Sequence, residues 1–305
     1  MTQSTTDYDN PWKSMIERYF REFIAFFFPW IEPEIDWLRG VRFLDKELQK
    51  IVRDAELTKR YADKLIEVYK VGGEPTLVVC HVEVQNQPET VFPKRMFVYN
   101  YRLSDRYDCA VVSLAILGDE SENWRPSTFE NGLWQCSLRF EFPVVKLLDY
   151  AADWQALEAS ENPFAVVVMA HLKTKETHRK PLERKEWKYR LTTMLYERGY
   201  EEQDILELYH FLDWLMLLPE ELEQQFQVEL GQFEEARQVR YVTSIERMAE
   251  QRGRQEGRQE GRQEGRQEER EAIALKLLRQ GLSLEMIAEI TEVSIEQLQN
   301  LQSQQ

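Results

Sequence analysis

The chain has 305 residues and a formal net charge of −15, with 43% hydrophobic and 30% charged residues. That length allows one large core or two domains, and the composition fits a globular protein with some highly polar segments. It excludes long-range attraction to a phosphate backbone, so a nucleic-acid site must be a local basic patch or depend on a bridging metal.

Residues 1 to 10 are polar and read as a disordered start. From Pro11, WKSMIERYFREFIAFFF spaces its apolar residues as a helix that opens on proline and stops at Pro29. The apolar run Phe23 to Ile31 is too short for a membrane span and is broken by Pro29; no signal peptide is evident, so no membrane partner is expected. Between residues 33 and 60, Val41 to Phe43 and Leu48 to Val52 are short apolar groups suited to an outer strand and a turn of helix.

The stretch from Tyr61 to Gln87, YADKLIEVYKVGGEPTLVVCHVEVQNQ, organises the rest. Tyr61 to Val71 alternates aromatic and aliphatic residues, and Leu77 to Val84 is almost continuously apolar, as in a strand covered on both faces. Val71-Gly72-Gly73-Glu74-Pro75 between them predicts a hairpin loop. A loop centred near Gly73 sets Asp63 and Glu83 opposite each other to within about one residue. Like charges so placed call for a cation between them or a proton on one. By strand alternation Gln85 shares the face of Glu83, while Val82 and Val84 take the other. Two carboxylates and the Val84 backbone carbonyl form a hard oxygen set suited to Mg²⁺ or Mn²⁺.

Asp63 followed by His81-Val82-Glu83-Val84-Gln85 resembles the D…ExQ variant of the PD-(D/E)xK nuclease motif, as found in the Rpn family of recombination-promoting nucleases. The resemblance extends upstream through Phe43-Leu44-Asp45-Lys46-Glu47-Leu48-Gln49 and downstream through Pro93-Lys94-Arg95 to Tyr99. It also reaches the C-terminal GRQE repeats and Leu-Ser-Leu-Glu-Met-Ile-Ala, and so covers most of the chain. It implies a metal-dependent DNA endonuclease with a restriction-endonuclease-like α-β-β-β-α-β core, an α/β fold with a central mixed sheet followed by a helical C-terminal region. In that core Asp63 and Glu83 would hold the metal. Gln85 stands where many such enzymes carry lysine; it keeps the hydrogen-bonding ability and loses the charge. A first helix in this fold can lend a glutamate to the metal; Glu17 or Glu22 could serve, but nothing in the spacing selects one, and a solvated helix face is the preferred reading of both. The implied division is a nuclease-like domain over 1–150, a helical extension completing the core over 151–250, a GRQE linker or exposed helix over 251–270 and a small helical tail over 271–305.

Beyond Gln87, a helix from about Phe92 carries Arg95, Arg102 and Arg106 at steps of seven and four, near one face. With Lys94 beside them, Arg95 and Arg102 are the candidates for holding a DNA backbone; the alternative is a solvated face paired with Asp105 or Asp108. Cys109 to Leu117 is a further apolar strand, and Leu133 to Tyr150 alternates as one more, after a loop over Asn123 to Gly132. Helices follow from Asn162-Pro163, with amphipathic segments over Tyr196 to Leu218 and Pro219 to Arg247. Lys173 to Arg190 holds eight Lys or Arg against three Glu, a cluster that either guides DNA or is simply solvated.

Cys80, Cys109 and Cys136 lie far apart in apolar runs, without metal-ligand spacing, and read as buried reduced thiols of a cytoplasmic protein. His171, His178 and His210 show no ligand spacing either. In the tail, Ile295 to Gln305 contains no Lys or Arg, which suits self-association, a homo-oligomer through the C-terminal helices, better than DNA reading. Beside the nuclease stands a second class of function, a catalytically weak or inactive scaffold that keeps the fold and binds protein partners. A complete transposase has little support, because there is one metal-binding constellation and no separate basic domain.

Overall fold

The computed structural model describes residues 11–44, 62–73, 75–83, 90–239 and 241–242. The chain divides into two compact units, Met1–Tyr241 and Val242–Gln305. The GRQE repeats and the tail expected to self-associate lie outside the described residues.

The first unit is mixed α/β. Its opening helix is two, α1 (Pro11–Arg18) and α2 (Phe20–Phe27), parted at Tyr19. A short strand β1 (Arg42–Phe43) leads to β2 (Ala62–Tyr69) and β3 (Pro75–Glu83), then α3 (Phe92–Tyr107) and β4 (Ala110–Leu117). β5 (Thr128–Leu133) and β6 (Cys136–Glu141) form a separate two-stranded sheet. β7 (Val144–Lys146) returns to the main sheet, whose order is β1-β2-β3-β4-β7. β1 and β3 are antiparallel to β2, whereas β4 is parallel to β3 and β7 to β4. The parallel β3–β4 pair needs a crossover, and α3 supplies it.

Both faces of the sheet are covered, which is why its strands read as apolar runs. On one side Leu65 packs with Leu44 and with Tyr99 and Leu103 of α3. On the other, Lys64 reaches Glu17 of α1 at 2.7 Å. α4 (Trp154–Ala159) precedes α5 (Pro163–Glu176), the central helix, buried from Pro163 through Leu172. Phe164 meets Phe23 and Phe27 of α2 edge-on at 5.3 and 5.5 Å between ring centroids. α6 (Pro181–Glu197), α7 (Glu202–Leu215) and α8 (Glu220–Ala236) complete the unit. Trp12 of α1 packs on Phe211 of α7 at 5.4 Å. The two last helices end earlier than their amphipathic patterns suggest, at Leu215 and Ala236.

Two expectations need correction. Leu133 to Tyr150 is not one strand: Trp134 and Gln135 turn the chain back, and the loop over Asn123 to Gly132 already contains most of β5. Both turn residues have positive φ, 48° and 69°, as a two-residue type I′ turn requires. Neither is glycine or asparagine, so each costs roughly 1–2 kcal/mol, and the nearest turn dipeptide, Asn131-Gly132, lies inside β5 and not at the reversal. Cys136, expected buried, is exposed because this hairpin stands off the core, and Cys109 is only half-buried.

Candidate active site

The β2–β3 hairpin fixes the relation between the two candidate ligands. Tyr69 pairs with Pro75, so the ladder is centred on Gly72, one residue earlier than the glycine pair suggests, and Asp63 lies opposite His81. Gly72 and Gly73 take φ of 113° and 101°, which only glycine adopts freely. Glu83 is therefore two ladder positions from Asp63, not directly opposite or one removed. Diagonal neighbours in an antiparallel ladder lie about 7–8 Å apart, a span that a cation between two carboxylates bridges. Glu83 in turn pairs with Leu117 at the end of β4, and Leu117 with Lys146 of β7.

Asp63, His81 and Glu83 are placed here by backbone and register; Val84 and Gln85 lie outside the described residues. The donor chemistry of Asp63 and Glu83 fits Mg²⁺ or Mn²⁺, which use one or two carboxylates and keep several waters. Among the described residues no group of three or more His, Cys, Asp or Glu is placed to hold a metal ion. Glu17 is engaged by Lys64, whose side chain is 4% exposed, and the Glu22 backbone carbonyl accepts from Asn162 Nδ2 at 2.9 Å.

α3 starts beside this end of the sheet: Phe92 and Met96 pack on Ala115 and Leu117. Of the three residues expected to meet DNA, Lys94 is exposed, Arg102 is half-buried, and Arg95 is buried, its guanidinium 5.3 Å from the centre of the Phe92 ring.

Sequence reasoning misses a buried polar cluster at the same end of the sheet. Lys146 Nζ donates to Asp119 Oδ2 at 2.6 Å, with both side chains at most 1% exposed, and to the Trp124 carbonyl at 3.3 Å. His171 of α5 shares a 2.8 Å hydrogen bond between Nε2 and the Gly118 carbonyl, which makes Nε2 the protonated nitrogen. Nδ1 is buried and has no hydrogen-bond partner. Burial, helped by nearby Lys175, pushes the His171 pKa down to about 4. The Gly118-Asp119 turn after β4 is legible in sequence; that Lys146 and His171 converge on it is not.

The basic run Lys173 to Arg190 is largely neutralised. Lys173 pairs with Glu176, Lys175 with Glu120, Lys180 with Glu183, Lys185 with Glu229 and Arg190 with Glu158. Lys188, fully buried, lies between Asp213 and Glu223 at 2.7 and 2.8 Å. Arg184 donates to the carbonyls of Thr174, Thr177 and Leu217.

No helix of the described residues is long and apolar enough to cross a membrane. No family model, curated protein or solved structure matches the chain.

Proposed function

We propose that the protein is a metal-dependent DNA endonuclease with a restriction-endonuclease-like core. The observation that carries this reading is the ladder: Asp63 and Glu83 sit two positions apart, at the end of paired strands that α3 also approaches. Asp63, Glu83 and the Val84 carbonyl hold Mg²⁺ or Mn²⁺, and Gln85 orients the attacking water. A bound ion of this kind lowers the pKa of its water and neutralises charge on the scissile phosphate. Lys94 and Arg102 line the approach of the DNA backbone, with Lys94 the more open to solvent, while Arg95, buried against Phe92, braces this end of α3.

The protein's overall acidity and the pairing of its main basic run support a second reading, a scaffold that retains this fold and binds protein partners without catalysis. Cleavage of supercoiled plasmid separates the two. Purified protein with Mg²⁺ or Mn²⁺ is expected to nick plasmid; EDTA, Asp63→Ala and Glu83→Ala are each expected to abolish nicking. Folded protein that cleaves with neither metal, or Asp63→Ala protein that cleaves as wild type, sinks the nuclease.

A further inference from the structure

The β5–β6 hairpin carries an exposed apolar tip. Trp134 is 90% exposed, Leu133 67% and Leu138 39%. The ring sits in a turn whose backbone disfavours it, with positive φ at Trp134 and at Gln135. Nothing in folding explains a tryptophan there, since Asn-Gly would make the same turn at lower cost. A large ring kept exposed on strained backbone points to binding.

Charge and area narrow what it binds. Asn131 to Leu138 carries no charged residue. The nearest cation, Arg139, is held by Glu141 at 2.6 Å and Glu130 at 3.3 Å. The hairpin thus has no spare cation for a phosphate or an anionic membrane, and any hold on a nucleic acid is through the ring. The three apolar side chains offer at most a few hundred Å², short of the ~800 Å² per partner of a stable protein interface. One nucleobase needs no more than one ring.

Position supplies the rest. Phe97 of α3 stacks on Phe129 at 5.1 Å and lies 5.8 Å from Phe140; Phe140 stacks on Phe142 at 5.6 Å. Phe142 packs with Phe92 and Leu117, and Leu117 is the ladder partner of Glu83. The hairpin is therefore rooted at the rim where the candidate ligands sit, and six residues of strand carry its tip roughly 20 Å from that root.

We propose that this hairpin is a base-stacking arm, in which Trp134, flanked by Leu133, packs on an unpaired nucleobase of the DNA strand handled at Asp63 and Glu83. The proposal rests on the nuclease reading and narrows its substrate to DNA with exposed bases: single-stranded, frayed or mismatched.

Binding of fluorescein-labelled oligothymidine, its duplex with oligoadenosine, and an abasic strand, measured by anisotropy in EDTA, tests it. Trp134→Ala is expected to weaken binding to oligothymidine about tenfold, within the range of one base–aromatic stack, and to leave the abasic strand unaffected. Trp134→Phe should retain most of the affinity. A double replacement, Trp134→Asn with Gln135→Gly, keeps the turn and removes the ring, so it should behave as Trp134→Ala; wild-type affinity in that variant would make the effect one of hairpin folding and overturn the proposal. If Trp134→Ala binds oligothymidine as wild type does while wild type still nicks plasmid, the stacking arm fails alone and the ring is left to a protein partner. Wild type that neither binds DNA nor nicks it overturns both readings.

Discussion

His171 is a neutral imidazole held in a buried polar cluster, with one nitrogen bonded to the Gly118 carbonyl and the other without a partner. Lys175 on the same helix and Asp119, just past β4, act on it, and Asp119 is in turn paired with Lys146. Burial is the main cause of its low pKa, about 4 against the ordinary 6.5. Between those two values the unfolded chain takes up a proton that the native protein refuses. The contribution to stability is therefore complete above pH 6.5 and is lost as pH falls towards 4, at about 1.4 kcal/mol per pH unit. Urea unfolding at pH 7 and at pH 4.5 should show wild type losing on the order of 2–3 kcal/mol more than His171→Gln, which keeps a donor for Gly118 and does not titrate. Equal losses would mean that the imidazole is solvated in the native state.

At the scale of the element, Asn162 joins two helices by opposite ends of one amide. Its Oδ1 accepts from Phe164 N at 2.9 Å, capping α5, and its Nδ2 donates to the Glu22 carbonyl of α2. Asn162→Ala should cost about 2 kcal/mol in chemical denaturation, one part for the cap and one for the bridge. Asn162→Asp should keep the cap and lose the bridge; stability equal to wild type in both variants would show that neither bond contributes. This start was legible, because Asn before Pro is a strong local signal and the Phe164 to Leu172 run follows it. The β2–β3 hairpin was legible for the same reason, through Gly72 and Gly73. Its register was not: a glycine pair locates a turn, whereas which residues pair depends on how the whole loop closes, and here Tyr69 meets Pro75. The β5–β6 reversal was hard to see because its turn is Trp-Gln and period-two alternation continues from Trp134 through Phe142.

Across the whole molecule, sequence counts charges and structure decides which are spent. Lys173 to Arg190 has the composition of a DNA-guiding patch, yet besides the local pairs Lys173–Glu176 and Lys180–Glu183 its cations turn to Glu and Asp far away in sequence, such as Glu120, Glu158, Glu223 and Glu229. A window of sequence cannot register those partners. Placement was legible in the same uneven way: that Asp63 and Glu83 lie near one end of the β2–β3 hairpin could be read from its turn, while the burial of Arg95 follows from the packing of α3 on the end of β4. Of the three candidate cations on α3, Lys94 is exposed, Arg102 half-buried and Arg95 buried. DNA binding is therefore expected to be weakly salt-dependent. With two or three phosphates neutralised, log K should fall against log salt with a slope of about −2 to −3. Lys180→Ala and Lys185→Ala should leave that slope unchanged, and Lys94→Ala should reduce it by about one. A slope steeper than about −6 would require the Lys173 to Arg190 cations to abandon their carboxylate partners for DNA, and would place the substrate across the helical face instead of at the sheet end.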